Sequence, residues 1–593
     1  MRRLIPDWVR SYSPSMLPDD LMAAAVVTIM LIPQAMAYAM LAGLPPQAGL
    51  YGAILPLVLY AAFGTSRTLA VGPVAVVALM TASAAGAVAL PGTETFHLAA
   101  LAIAAISGLM LLVMGLLRLG WLANFLSHPV ITGFITAAGI LIAGSQVKHL
   151  LGIEAGGKTL PDLVPSVLRG LPGVNPWTLA LAATVLAFLF WARGGLAPLL
   201  RRLGVGARTA GLIAKSALLV AVAGSSLAAW GLGLEARGVS VVGAIPAGLP
   251  PLALPAFDAT LWQALLVPAA MIAVIGYVES VSIAQTLAAR RRERIDPDRE
   301  LVALGAANLG AAVSAAMPVT GGLSRSIVNF DSGARSPAAG LITAAAIAVA
   351  LLVLTPALYF LPNATLAAII VVAVAGLLDF RALPRTWAYS RPDGAAMGAT
   401  VAVTLLFGVE QGLLAGVALS LGLHLWRTSR PHVAVLGQVP GTEHFRNIDR
   451  HAVATVPSVL SIRVDESLYF PNARYLEDRI AAEVTARPEV RDVVLVCTAV
   501  NTIDASALES LEAINARLRG GGISLHLSEV KGPVMDRLTR SHLPEALSGR
   551  IFLTHYEAMA ALAPEATRAT LTAPRRETDL RLVDTAEPVA ARG

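Results

Sequence analysis

Long apolar runs, separated by short clusters of charge, organise this chain up to about Leu425. No Asp, Glu, Lys or Arg lies between Asp20 and Arg67. None occurs from Thr68 to Thr93, Gly170 to Ala192, Ser216 to Leu234, Leu301 to Ser324 or Ser336 to Leu378. Each run holds one or more helices of the roughly 20 apolar residues that cross a bilayer. Lipid admits only helices and closed barrels, and continuous rather than alternating hydrophobicity selects helices. The pattern predicts fourteen segments, near 20–40, 47–64, 72–86, 97–117, 128–147, 175–192, 209–232, 259–287, 300–314, 322–333, 338–360, 364–379, 393–408 and 411–426. The third and tenth are too short to span alone. From Arg427 onward the chain is charged and reads as a soluble domain. From Pro564 it loses apolar periodicity and reads as a disordered tail.

Charge tests the count. With Arg2, Arg3 and Arg10 in the cytoplasm, the inside loops hold Arg193, Arg201, Arg202 and Arg208; Arg290, Arg291, Arg292, Arg294 and Arg299; Arg381, Arg385 and Arg391; and Arg427 and Arg430. The outside loops hold Lys148, Lys158, Arg169 and Arg237. This asymmetry obeys the positive-inside rule and puts both termini on the cytoplasmic side. The first run lacks a cleavage pattern and is expected to be the first membrane helix. A charged fraction of 14% and a mean hydropathy of +0.69 fit a membrane protein. The net charge of +6 sits in short loops, so nucleic acid is not the expected partner. One cysteine, Cys497, excludes an intramolecular disulfide. His97, His128 and His149 lack metal-ligand spacing, so no metal or cofactor is expected, and no nucleophile–base constellation suggests an enzyme.

The short segments resemble each other. Leu69-Ala70-Val71-Gly72-Pro73-Val74 opens the third, and Met317-Pro318-Val319-Thr320-Gly321-Gly322-Leu323-Ser324 opens the tenth. Each reads as extended residues followed by a helix start, with Pro73 or Ser324 in the first turn. A spacing of seven segments implies two repeats of inverted topology, and matched broken helices point to a transporter binding site. Helix N-termini offer unpaired N–H groups and partial positive charge, which suits an anion. Ser324 and Arg325 add a hydroxyl and a guanidinium, unless Arg325 snorkels or pairs with an acid. Glu279, inside an apolar helix, is either a proton-accepting site or half of an ion pair with Arg325. Gln34 and Tyr38, four apart after Pro33, either line the site or bond between helices. Glu410, Asp331 and Lys215 read as interface residues.

These residues carry a family resemblance. Leu31-Ile32-Pro33-Gln34-Ala35-Met36-Ala37-Tyr38-Ala39, Gly43-Leu44-Pro45-Pro46, Gly49-Leu50-Tyr51, Phe63-Gly64-Thr65-Ser66-Arg67 and Val71-Gly72-Pro73-Val74-Ala75 resemble the first helices of the SulP anion transporters. Ile295-Asp296-Pro297-Asp298-Arg299-Glu300-Leu301, Ala307-Asn308-Leu309 and Pro318-Val319-Thr320-Gly321-Gly322-Leu323-Ser324-Arg325-Ser326 resemble later signatures of the same family. The resemblance implies core and gate domains, an elevator-like movement and a homodimer. It implies an anion site at Gln34, Tyr38, Val74, Ala75, Leu323, Ser324 and Arg325, with proton coupling through Glu279.

The soluble region resembles a STAS domain over roughly 440–562. Ser458–Val464 and Arg491–Thr498 read as strands and Tyr475–Val484 as a helix, giving an α/β layer. Asp504 and Ser506 lie in a loop that carries a phosphorylated serine in soluble relatives; either residue also suits a helix cap. The expected organisation is a cytoplasmic segment to residue 19, a transporter domain over 20–428, the STAS domain and a tail from 563. The expected function is proton-coupled sulfate uptake across a bacterial inner membrane. Sodium coupling, bicarbonate, C4-dicarboxylates, anion exchange and a membrane-anchored STAS signalling protein remain open.

Overall fold

The computed structural model describes residues 6–574, apart from 126, 207–209, 212, 215, 247, 254 and 256. Arg2, Arg3, Arg208 and Lys215 therefore lie outside the described residues. The chain divides into two compact units, Met1–Leu421 and Gly422–Gly593.

Among the described residues the membrane pattern is carried by fourteen helices. They are α1 Leu17–Leu41, α2 Leu55–Phe63 (after a short helix Pro46–Tyr51), α3 Ala75–Val88, α4 Glu94–Leu116, α5 His128–Leu151, α6 Pro176–Trp191, α7 Ala217–Gly231, α8 Ala259–Arg290, α9 Pro297–Val313, α10 Leu323–Asp331, α11 Ala338–Val353, α12 Asn363–Ala375, α13 Arg391–Phe407 and α14 Val409–Ser429. Local chemistry sets many starts. Thr93, Asn175, Asp258 and Asp296 each accept a hydrogen bond from the first turn that follows, and Pro176 and Pro297 occupy first helical positions. Seven helices among the described residues, some counted with their flanking turns, are long and apolar enough to cross a bilayer. The run Pro176–Arg202 has a mean hydropathy of 1.7, yet only 22% of its most apolar window is buried. An exposed apolar surface of that size calls for lipid.

The packing repeats with a shift of seven. Helix α4 lies against α8 and α9, and α11 lies against α1 and α2. Likewise α3 packs on α8 and α10 on α1, while α5 pairs with α13 and α12 with α6. The first set, α1–α4 with α8–α11, forms the core; α5–α7 with α12–α14 form the gate. Close backbone approach holds the core. A Cβ on Gly108 of α4 would sit 2.8 Å from Leu309 N and 3.0 Å from Gly305 O of α9, and a Cβ on Gly305 would sit 2.7 Å from Leu112 N. Small residues at such crossings are how helices gain van der Waals contact without a hydrophobic drive between them.

The second unit is a six-stranded sheet of order β4-β3-β5-β6-β7-β8. The strands are β3 Val433–Gln438, β4 Phe445–Asn447, β5 Val459–Val464, β6 Asp492–Val496, β7 Ser524–Ser528 and β8 Ile551–Phe552. β3 is antiparallel to both neighbours; β5 to β8 run parallel. Parallel neighbours need crossovers, supplied by α15 Phe470–Thr485, α16 Ala505–Gly520 and α17 Gly532–Leu538. Ile462, Leu495 and Leu527 pair across the sheet and share a core with Leu476, Ile480, Leu511 and Ile514. Two expectations change. The sheet begins before 440, because β3 occupies its interior. The start of the supposed disordered tail is ordered: after α18 His555–Leu562, residues Pro564–Thr572 form α19, with Thr567 buried and its Oγ1 donating to Met559 O at 3.0 Å. Buried Thr567 and leading Pro564 give this segment a helix start and an anchor that its composition conceals. Residues 575–593 lie outside the described residues.

Candidate functional site

Two residues ahead of each broken helix form a short antiparallel ladder, β1 Val71–Gly72 with β2 Thr320–Gly321. Antiparallel strands leave their ladder in opposite directions, so α3 and α10 start on either side of it with their N-termini turned inward. Val74 caps α3 and Gly322 caps α10, and neither start has a side-chain cap. The first bonded amides are Ala78, to Val74 O, and Ser326, to Gly322 O. The N–H groups of the preceding three residues in each helix are thus unused by the helix. Pro73 precedes the α3 cap rather than sitting in its first turn, whereas Ser324 does lie in the first turn of α10.

Arg325 does not reach outward. Its side chain is 2% exposed. Nε donates to Ala70 O at 2.8 Å, Nη1 to Pro73 O at 2.6 Å, and Nη2 to Gly72 O at 2.7 Å and Thr320 O at 2.8 Å. The guanidinium therefore staples the two broken-helix entrances together, and its charge rather than its full set of donors faces the space between them. Neither sequence alternative holds: Arg325 neither snorkels nor forms an ion pair, and Glu279 makes no ion pair with it among the described residues. Backbone carbonyls left free where two helices break lie within hydrogen-bond distance of the guanidinium and take up its donors.

A wider polar lattice holds this clamp. Ser280 Oγ bonds Thr320 Oγ1 at 2.6 Å and accepts from Gly321 N at 2.9 Å, and Thr320 Oγ1 donates to Gly276 O at 2.6 Å. Asn308 pairs with both Val319 N and Val319 O at 2.9 Å. Ser326 Oγ accepts from Ala70 N at 2.9 Å, and Asn329 Nδ2 donates to Thr68 O at 3.0 Å. Beneath it, Glu300 is fully buried and accepts from Tyr60 OH, Thr65 N, Thr65 Oγ1 and Ser66 N at 2.6–3.0 Å. Sequence reasoning assigned Ser280, Thr320, Asn308, Asn329 and Glu300 no role. Ser280 and Asn308, polar residues inside apolar helices, were the available signal.

The remaining candidates fall around the ladder. Leu323 and Ser324 are exposed, and Ser324 lines a cleft of about 370 Å³ with Gln34. Val74 and Ala75 are buried at 7% and 6%. Tyr38, 7% exposed, lies within electrostatic range of Arg325 and Glu279. Glu279 lines a small cavity between core and gate, walled by Val76, Ile131, Phe134, Val278, Thr400 and Leu413. No hydrogen bond or ion pair engages its carboxyl among the described residues. No group of three or more possible metal ligands occurs among them either. In the second unit Asp504 caps α16: Oδ1 accepts from Ala507 N at 2.8 Å and Oδ2 from Phe470 N at 2.9 Å. Ser506 is exposed.

A helical membrane bundle built as an inverted repeat, with two uncapped half-helices meeting inside it, is the architecture of a solute transporter. Comparison with known proteins gives the family. Residues 17–400 match the Sulfate permease family and residues 451–558 match the STAS domain. The chain is 36% identical over 561 residues to "Sulfate transporter 4.1, chloroplastic" of Arabidopsis thaliana, covering 92% of this chain and 80% of that protein. It is 33% identical over 552 residues to "Probable sulfate transporter Rv1739c" of Mycobacterium tuberculosis, covering 92% and 95%. Its fold is similar to that of the murine Solute Carrier 26 family member A9 anion transporter in the inward-facing state, with a TM-score of 0.84, 21% identity and 94% of each chain covered. This protein belongs to the sulfate permease family and is an integral membrane anion transporter with a C-terminal STAS domain.

Proposed function

We propose that this chain carries sulfate, coupled to protons, by movement of the core against the gate. The observation that carries the reading is the pair of uncapped N-termini of α3 and α10, locked on one ladder by Arg325 and opening at Ser324 and Gln34. Six helix-terminal amides, two helix dipoles and one buried guanidinium charge suit an oxyanion whose charge is spread over several acceptors. In this reading the anion is bound by the Val74–Ala75 and Leu323–Ser324 backbones, with Gln34 and Tyr38 as neutral donors. Two of the relatives above are named as sulfate transporters, which favours sulfate over bicarbonate or a C4-dicarboxylate. Glu279 is the proton site in this reading, because its carboxyl lines an apolar cavity at the boundary between core and gate and has no bonding partner among the described residues. In the same reading both termini are cytoplasmic, which the arginine-rich loops support, the membrane is a bacterial inner membrane and the functional unit is a homodimer. Ser506, exposed beside the α16 cap, is the regulatory position of the STAS domain.

The test is uptake of radiolabelled sulfate into proteoliposomes with and without an inward proton gradient, for wild type and Glu279→Gln. Gradient-driven uptake in wild type, uncoupled or lost in Glu279→Gln, is the expected result. Uptake of succinate or bicarbonate but not sulfate would overturn the substrate. Sulfate uptake indifferent to the proton gradient would overturn the coupling.

A further inference from the structure

The cleft that reaches Ser324 and Gln34 is lined otherwise by apolar or small residues, among them Met30, Leu189, Leu218, Ile369 and Val372. Among the described lining residues one side chain is ionisable, Arg193. It follows the last residue of α6 by two positions, where Ala192–Leu196 form a π-helical turn that continues into Ala197–Arg202. Such turns interrupt the regular ladder at a local cost and cluster at working positions. Arg193 has no hydrogen bond and no ion pair among the described residues. The cleft walls come from the middle of α1, the end of α6, the start of α7 and the end of α12. In an alternating bundle these ends share one membrane face, so the cleft opens on the face where α1 begins.

The surroundings keep this cation uncommitted. Gly376 closes α12, and a Cβ there would lie 3.3 Å from Arg193 Nη2. Any larger residue would press on the guanidinium. The nearest acid along that segment, Asp379, is engaged by Arg385 at 3.3 Å and by Arg381 N at 3.0 Å. An unneutralised charge between low-dielectric walls focuses its field along the cleft axis, and clefts of one sign of charge raise local anion concentration and association rates by about 10–10³-fold. We infer that Arg193, on the gate side of the cleft, is an anion-attracting residue that draws the substrate from solution towards Ser324 and Gln34. The inference rests on the transport reading above and assigns to the gate a share in anion selection. It also predicts that a divalent anion gains more than a monovalent one, since attraction scales with charge.

The experiment measures sulfate binding to the purified full-length protein by titration calorimetry at low and high ionic strength. Sulfate uptake by the same preparations in proteoliposomes runs alongside. Wild type, Arg193→Gln and Arg193→Lys are compared. Arg193→Gln is expected to weaken sulfate binding about tenfold at low salt and to flatten its salt dependence, with Arg193→Lys restoring most of both. Nitrate binding is expected to change less. Unchanged affinity and salt dependence in Arg193→Gln, with wild type binding and moving sulfate, would overturn this inference alone. Loss of maximal uptake at unchanged affinity would make Arg193 a residue that packs the end of α6 against α12 and overturn it equally. Wild-type protein that binds sulfate but does not move it would overturn the transport reading and leave the attraction measurable.

Discussion

Arg325→Lys separates two roles that charge alone confuses. If Arg325 served the anion only as a positive charge, lysine would preserve most of its function. The structure gives it a different task, four bonds to Ala70, Gly72, Pro73 and Thr320 carbonyls from three nitrogens in one plane. A lysine ammonium is a compact point donor and cannot reproduce that fork. Hydrogen bonds to charged groups contribute about 1.5–3 kcal/mol each, so losing two costs about 3 kcal/mol even at the low end. The carbonyls left behind are buried, which adds to the cost. With an unfolding entropy of about 2.1 cal/mol/K per residue across a unit the size of this one, that is a fall of about 3 °C in its melting midpoint. Transport suffers more, because about 3 kcal/mol of misplacement at the anion-binding amides corresponds to roughly a hundredfold in rate. The assay is sulfate uptake beside thermal unfolding in detergent, for wild type, Arg325→Lys and Arg325→Ala. Arg325→Lys with near-normal uptake and an unshifted midpoint would refute the clamp.

Glu300→Gln turns an amide NH2 towards donors that now meet a carboxylate, and is expected to destabilise the first unit by about 3 kcal/mol with loss of folded protein on size-exclusion chromatography. Asp504→Ala removes the α16 cap and is expected to cost about 1–2 kcal/mol, with faster hydrogen exchange in the first turn of α16; Ser506→Ala, at an exposed site, is expected to leave that exchange unchanged. Burial pushes His555 down to about 4, below its ordinary 6.5, with its Nε2 without a partner and its ring edge-on to Phe445. The unfolded chain binds this proton first, so the contribution is present above pH 6.5 and is lost as pH falls towards 4. The loss is up to about 3 kcal/mol at 1.36 kcal/mol per unit, read as a pH-dependent unfolding midpoint that His555→Leu flattens. Asp465 adds a smaller term of the same sign: burial opposes its charge, but bonds from Arg463 and His432 outweigh that and hold it below 3.8, so its share disappears only in stronger acid.

Hydrophobic patterning alone located most of the membrane segments to within a few residues, because the bilayer imposes one length and one polarity on all of them; the start of the seventh and the end of the eleventh were set too wide. The Gly and Pro breaks at Val71–Val74 and Pro318–Gly322 located the unusual helices for the same local reason: neither residue type continues a helix readily. The Asp504 cap was equally legible, since a cap is a contact between residues three apart. What the sequence could not determine was who partners whom. An ion pair between Arg325 and Glu279 was one of two readings of these charges, because both stand in an apolar region. The tertiary structure instead brings Ala70, Gly72 and Pro73 to Arg325 from some 250 positions away, and leaves Glu279 facing the gate. Carbonyl groups occur at every residue and carry no sequence signal, so a clamp made of them is invisible until the chain is folded. The same holds for the cleft, where Arg193 looked like one arginine of a cytoplasmic loop until α1, α6, α7 and α12 closed around it.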